Sequence, residues 1–261
     1  MNERTLQVGD KSIRLRESEP RDEAYPTILC IHGNLGSGRW FESFLVDYPG
    51  RALAPDMPNF GASDHIDGYA MSDYADWIGA ICDAAGVTAA IVVGHSLGGA
   101  VAMELLSRRP SLVNGLVLVD PSPVEGLVTP REYYPAIEAY RSDKAVLAQA
   151  LRGAVPTLTD EELFTRLVDD AWQMNRDCFI GHAEALARAD FREKLAGVEL
   201  PVHVLRGGRD PLITAELAAK TAEFFRASVY TFPVCGHSPM VEQPERFNQV
   251  LTEIASTGTT C

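Results

Sequence analysis

Ser96 lies in Ile91-Val92-Val93-Gly94-His95-Ser96-Leu97-Gly98-Gly99-Ala100, an apolar run that stops at a serine flanked by glycines and continues in helix-forming residues. The pattern predicts a strand, a sharp turn and a helix. In a Gly-x-Ser-x-Gly turn of this kind the serine is held in a strained conformation, the glycines admit close neighbours, and Oγ projects above the sheet. Ser96 is therefore the candidate nucleophile. A serine hydroxyl is a weak nucleophile at neutral pH, so the rest of the chain has to supply a base, an acid that orients the base, and donors for an oxyanion.

Four segments stand in an order that resembles the α/β-hydrolase superfamily: His32-Gly33-Asn34-Leu35-Gly36, Gly94-His95-Ser96-Leu97-Gly98-Gly99, Gly207-Gly208-Arg209-Asp210 and Gly236-His237. A lone Gly-x-Ser-x-Gly recurs by chance, whereas four motifs at matching strand ends are specific. The resemblance spans nearly the whole chain. It implies an α/β-hydrolase fold: an eight-stranded, mostly parallel sheet flanked by helices, with a helical cap inserted after the sixth strand.

The elements needed to position these motifs are legible in turn. Leu6-Gln7-Val8, Gly9-Asp10 and Ile13-Arg14-Leu15-Arg16 alternate around a turn dipeptide and predict an edge hairpin. Thr27–Ile31 is a continuous apolar run suited to a strand covered on both faces, and it ends at His32-Gly33. Helical spacing follows around Trp40, Phe41, Phe44 and Leu45, then a short strand over 51–56. Residues 71–85 predict a helix with Ser72 as N-cap and Gly86 as its stop. The helix after Ser96 runs to about Arg109, and Gly115–Asp120 is the next strand. From Pro121 to about Leu200 the β-α rhythm gives way to helical segments around 132–140, 144–151, 161–173 and 176–195. Residues 1–121 and 196–261 are thus read as the core domain and 122–195 as the cap, with Trp172, Met174 and Phe179 as candidate pocket residues. Strands at 201–205 and 228–232, a helix over 215–225 and a closing helix from about Pro244 to Ile254 complete the chain, leaving 256–261 as a frayed tail.

Asp210 and His237 each fall just past a strand, as Ser96 does, and ligands bind at the carboxyl ends of strands in open α/β sheets. The resemblance gives the order nucleophile, acid, base. It implies that His237 takes the Ser96 proton and returns it to the leaving group, while Asp210 fixes the imidazole tautomer. It also implies that the backbone N–H groups of Asn34 and Leu97 form the oxyanion hole. No metal or organic cofactor is required. Asp120 also follows a strand and rivals Asp210 for the acid, but the Gly-Gly-Arg-Asp context of Asp210 matches the family more specifically. His95 is assigned a structural role, since its side chain points away from Oγ at such a turn, and His32 marks its loop. His65, His182 and His203 have no motif around them and default to solvated or core histidines. Asp56 sits in a family turn motif in which Asn59 replaces a more usual glycine.

With 261 residues, 46% apolar and 23% charged, the chain has ordinary globular composition. A net charge of −13 argues against nucleic-acid or anionic-membrane partners, which need clustered Lys and Arg. Five cysteines at 30, 82, 178, 235 and 261 show no paired or metal-type spacing, which fits a reduced, cytoplasmic compartment. No run approaches the roughly 18 apolar residues of a spanning helix. The sequence leaves the oligomeric state open.

The expected activity is hydrolysis of a small carboxylic ester, a lactone or thioester included, through an acyl-enzyme on Ser96, with an apolar acyl part in the substrate. The same triad serves carbon–carbon bond hydrolases of the meta-cleavage type and cofactor-free haloperoxidases or perhydrolases. A small-molecule receptor of the same fold is the alternative of another class. Haloalkane dehalogenases and epoxide hydrolases are disfavoured, because they use an aspartate where Ser96 stands.

Overall fold

The computed structural model describes residues 1–257. β1 (Asn2–Val8) and β2 (Lys11–Glu17) form the expected hairpin, with Leu6 paired to Ile13 and Val8 to Lys11. β3 (Ile28–Ile31), β4 (Ala52–Pro55), β5 (Ala90–His95), β6 (Val113–Val119), β7 (Val202–Gly207) and β8 (Val229–Phe232) complete one sheet in the order β1-β2-β4-β3-β5-β6-β7-β8. The β1–β2 and β2–β4 pairs are antiparallel; every other pair is parallel. The carboxyl ends of β3, β5, β6, β7 and β8 therefore share one edge.

Every residue of β3, β4 and β5 is buried, which is why these strands read as unbroken apolar runs. The two faces still separate by the period of two. Leu29, Ile31, Val92, Leu116 and Leu118 pack in one cluster; Ile28, Cys30, Ile91, Val93, Val117 and Val119 pack in the other. α2 (Met71–Ala84) and α3 (Leu97–Arg108) cover the first face, where Tyr74, Ile78, Val101 and Leu105 are buried. α1 (Glu42–Asp47), which continues a 3₁₀ turn over Gly38–Phe41, covers the second with Trp40, Phe41, Phe44 and Leu45. A helix starts at Met71, but Ser72 is not its cap: the Asp73 carboxylate accepts the Ala70 N–H at 2.9 Å and does that work.

Between β6 and β7 the chain inserts α4 (Tyr134–Tyr140), α5 (Lys144–Ala154), α6 (Glu161–Trp172) and α7 (Cys178–Arg188). Asp143 and Asp160 cap α5 and α6 by accepting N–H groups of their first turns. The insertion has no separate core. Leu151, Val155, Leu167 and Val168 join one of the two sheet-face clusters, while Ala171, Met174, Cys178, Phe179 and Leu186 join the other. The segment expected to be helical over 176–195 stops at Arg188. There Ala189 turns extended, and the Phe191 N–H leaves for the Val124 carbonyl at 2.8 Å, a tertiary bond that outweighs helix propensity.

α8 (Ala215–Phe225), α9 (Pro239–Glu242) and α10 (Pro244–Thr257) close the chain. α10 extends past the expected end at Ile254 and takes in Ser256 and Thr257; the rest of the expected frayed tail, with Cys261, lies outside the described residues. The other four cysteines are buried and free. No helix among the described residues is long and apolar enough to cross a membrane.

Candidate active site

Ser96 joins β5 to α3 with φ +54° and ψ −118°. A glycine in a tight turn adopts these angles readily; a residue with a side chain stores roughly 1–3 kcal/mol of strain there. Close packing imposes the conformation. A Cβ on Gly94 would lie 2.5 Å from the Gly98 carbonyl oxygen, and one on Gly98 would lie 2.3 Å from that of Ile31. β5, α3 and the end of β3 thus meet backbone to backbone. The Ser96 N–H donates to the Val119 carbonyl at 3.0 Å, and the Ser96 carbonyl accepts from the Ser122 N–H at 3.1 Å, which ties the turn to the end of β6. Ser96 Oγ has no hydrogen-bond partner among the described residues, so no protein group competes for it.

Asp210 and His237, distant in sequence, meet at the ends of β7 and β8. His237 Nδ1 lies 2.7 Å from Asp210 Oδ2, and both residues are buried. Asp210 Oδ1 accepts the N–H groups of Leu212 at 2.7 Å and Ile213 at 3.1 Å. Burial alone would raise the Asp210 pKa, but the hydrogen bond and charge of His237 outweigh it and hold the carboxyl at about 2. An ionised carboxylate only accepts, so His237 Nδ1 carries the proton of this bond and Nε2 is left for other work.

The His237 backbone is fixed on three sides. Its N–H donates to the Ala154 carbonyl at the end of α5 at 2.8 Å, and its carbonyl accepts His95 Nε2–H at 2.9 Å. On either side, the N–H groups of Gly236 and Ser238 donate to Glu242 at 2.9 and 3.1 Å; the same carboxylate takes the Thr157 hydroxyl at 2.6 Å. His95 therefore acts through the backbone of His237, with which its ring packs at 4.8 Å between centroids. Burial first, and His237 second, hold the His95 pKa well below its ordinary value, so the ring is neutral.

Asp120 is fully buried at the end of β6, and both its oxygens lie about 3 Å from the Gly207 N–H. Burial and the neighbouring Asp210 carboxylate raise its pKa well above the ordinary value. Asp120 thus backs Asp210 on one side, while Asp210 faces the imidazole on the other. Asp120, Asp210 and His237 are the group among the described residues whose ligand atoms lie within 4.8 Å of one another. Their atoms are already committed to this chain of hydrogen bonds.

On the other side of Ser96, a Cβ on Gly33 would come within 2.9 Å of Ser96 Cβ and 2.8 Å of His95 Nδ1, so the 32–36 loop touches the turn. His32, fully buried, accepts the Met57 N–H at Nε2 (3.0 Å) and donates from Nδ1 to the Gly33 carbonyl (2.9 Å). Burial, only partly opposed by that bond, lowers its pKa to about 4. The Asn34 N–H has no acceptor among the described residues, and Leu97, first in α3, has none within its helix. Two N–H donors thus remain unspent, one on the residue after Ser96 and one on the residue after Gly33, which packs against Ser96.

Residues 28–250 match the model of the alpha/beta hydrolase family. The chain belongs to that family. An sn-1-specific diacylglycerol lipase of Mus musculus is 27% identical to this hydrolase over 254 residues, covering 88% of this chain and 81% of the relative. A pimeloyl-(acyl-carrier protein) methyl ester esterase of Yersinia enterocolitica is 26% identical over 256 residues, with 89% and 94% covered. An esterase of Exiguobacterium antarcticum has the same fold, at a TM-score of 0.84 and 21% identity, with 96% and 98% covered.

Met174 and Phe179 of the hydrolase are buried among apolar residues of α2 and the insertion, and half-buried Trp172 carries Arg176 over its ring at 4.0 Å. His65 is exposed and His203 half-buried. His182 is fully buried, as a core histidine would be, but its partners are polar: Asn34 Oδ1 lies 2.8 Å from Nδ1, and the Tyr74 hydroxyl 2.7 Å from Nε2. Neither the His182–Asn34 contact nor the Glu242–Thr157 contact carries a sequence signal, since these partners sit 148 and 85 residues apart.

Proposed function

We propose that this hydrolase cleaves a small carboxylic ester, lactones and thioesters included, through an acyl-enzyme on Ser96. The observation that carries the reading is the strained Ser96 turn at the same sheet edge as a buried His237–Asp210 pair, with two unspent N–H donors. His237 Nε2 accepts the Ser96 proton as Oγ attacks the carbonyl carbon; Asp210 holds the tautomer and stabilises the imidazolium. The N–H groups of Asn34 and Leu97 bind the oxyanion, each worth roughly 10²–10³ in rate. His237 then protonates the leaving alcohol, and water activated by the same nitrogen releases the acid.

Residues 122–195 act as a cap over this crevice, and 1–121 with 196–261 as the catalytic core. Phe179 stands one turn before His182, which bonds the Asn34 side chain, and this supports Phe179, with Met174 and Trp172, as the candidate apolar residues nearest the acyl group. The substrate carries an apolar acyl group of modest length on this reading. Free buried cysteines accord with a cytoplasmic setting.

Hydrolysis of p-nitrophenyl esters from acetate to octanoate, beside an identically purified Ser96→Ala protein, tests the proposal. Turnover that vanishes in Ser96→Ala supports the acyl-enzyme, and the chain-length optimum sizes the acyl site. Turnover equal in both proteins, or none in either, refutes it.

A further inference from the structure

We propose that His182, carried by α7, is a positioning residue for the oxyanion donor at Asn34, so that the helical insertion sets the geometry of transition-state stabilisation. This rests on the assignment of Asn34 N–H to the oxyanion hole.

The hydrogen bonds around His182 run in one direction. The Leu35 N–H donates to Asn34 Oδ1 at 3.1 Å, which fixes that atom as the amide oxygen. The second partner of the oxygen, His182 Nδ1 at 2.8 Å, must then donate. Nε2 is left as an acceptor and takes the Tyr74 O–H at 2.7 Å. The Tyr74 oxygen in turn accepts Asn59 Nδ2 at 3.4 Å, with Cys178 Sγ at 3.7 Å. Asn59, in the left-handed region at φ +74°, is itself held to the insertion: its carbonyl accepts the Asn175 N–H at 2.8 Å, and its Oδ1 accepts Asn175 Nδ2 at 3.1 Å. A fully assigned chain thus runs from α7 and the turn before it, through α2, to the loop beside Ser96.

Nothing in this chain is free to turn. His182 is fully buried and stacks on Phe60 at 5.0 Å with 6° between planes. Burial, with His32 nearby, lowers its pKa to about 3, so a single neutral tautomer persists across the working range. Asn34 is gripped through its side chain while its main-chain N–H stays unspent, and Leu35 bends back at φ +60° to close the loop. Farther along, Ser37 Oγ and Arg39 Nε both donate to Asp170 of α6, at 2.6 and 2.8 Å. The oxyanion loop therefore meets the insertion at two points, and the first bears on the residue that offers the donor.

A donor displaced by a fraction of an ångström loses transition-state binding before it loses substrate binding. His182→Gln presents an acceptor near the Nε2 site; His182→Asn presents a donor near the Nδ1 site; His182→Phe keeps the stacking and makes neither bond. Asn34→Ala removes the same bond from the loop side and leaves the main-chain N–H. The assay is kcat and KM with the best p-nitrophenyl ester, together with the rate at which a p-nitrophenyl alkylphosphonate, which forms a charged tetrahedral adduct, modifies Ser96. Expected is a 10- to 100-fold fall in kcat and in phosphonylation for His182→Gln, His182→Phe and Asn34→Ala, with KM within about threefold. His182→Asn recovers most of the rate, and the His182→Phe/Asn34→Ala double variant is no slower than either single one.

If the wild type is neither turned over nor phosphonylated, the serine-hydrolase reading itself fails. If the wild type reacts and Asn34→Ala reacts equally fast, the latch is refuted even should a His182 variant fail to fold. Equal losses in His182→Asn and His182→Phe, or losses in KM alone, also overturn it.

Discussion

Replacing Ser96 by glycine should stabilise the hydrolase while abolishing turnover. At φ +54° and ψ −118° the turn belongs to glycine, and Ser96 holds it because backbone contacts at Gly94 and Gly98 leave no other path from β5 to α3. Relief of that strain is worth about 1–3 kcal/mol. Glycine gives back about 0.5–1 kcal/mol through the freer unfolded chain. Loss of one half-exposed Cβ costs less than the ~0.8 kcal/mol of a buried methylene. The net expectation is about +1 kcal/mol. Ser96→Ala is the proper reference, because it is equally inactive, keeps the Cβ and the strain, and loses a hydroxyl with no protein partner. For a chain of this size about 1 kcal/mol moves the melting temperature by roughly 2–4 °C, which calorimetry resolves. A Ser96→Gly protein melting at or below Ser96→Ala would mean that the turn stores no strain, and that its geometry is an ordinary consequence of strand meeting helix.

Two further outcomes follow from buried protons. Asp210→Asn should cost roughly 10⁴ in kcat with the fold retained, because its amide no longer selects the Nδ1–H tautomer of His237. Asp120→Asn should stay within about tenfold, since the amide oxygen still accepts the Gly207 N–H and Asp210 remains on the imidazole; equal losses in the two variants would show that the carboxyls work as one unit. Stability should fall with acid through the buried neutral histidines. His182, at about 3 when folded against 6.5 unfolded, takes up its proton in the unfolded chain first, so its contribution is present above pH 6.5 and is lost as pH falls toward 3. From pH 7 to 5 that loss is about 2 kcal/mol for this ring, and His182→Asn should lack it in denaturant titrations at the two pH values. Comparing variants is essential, because Asp120, whose pKa is raised, carries the opposite sign between its unfolded and folded values.

The sheet and the candidate triad were legible because each is announced locally. An apolar run such as Ile28–Ile31 or Ala90–His95 demands cover on both faces, and the chain leaves it at glycine or a polar residue where a loop reaches the crevice. Asp210 outranked Asp120 from its neighbours alone, and the structure puts Asp210 on the imidazole. Helix ends were less legible. Ser72 looks like a cap, but Asp73 reaches back to the Ala70 N–H; α7 halts at Arg188 with no glycine or proline to say so, because Val124 captures the chain. Least legible were partners chosen by the fold. The raised pKa of Asp120 depends on its burial and on meeting Asp210, and His182 reads as an ordinary core histidine until Asn34 is placed against it. Asn59 did carry a signal, as an asparagine where glycine is usual. It tolerates the left-handed turn and adds the side chain that binds Gly68, Ile66 and Asn175, which a glycine could not.

Loops that carry catalytic groups have few backbone partners of their own, so their precision must come from what they lean on. Here both halves of the candidate site lean on the same insertion. The His237 loop spends its N–H groups on Ala154 and on Glu242, which also holds Thr157; the Asn34 loop spends its side chains on His182 and Asp170. Ser96 lies against the Gly33 end of the Asn34 loop, on a turn tied to the end of β6. The insertion is therefore a structural member of the candidate site, and its apolar residues are continuous with both faces of the core. On the proposed function, substitutions in α5, α6 or α7 should therefore disturb the His237 and Asn34 loops together, and a variant series in which kcat and acyl-chain preference vary independently would refute that coupling.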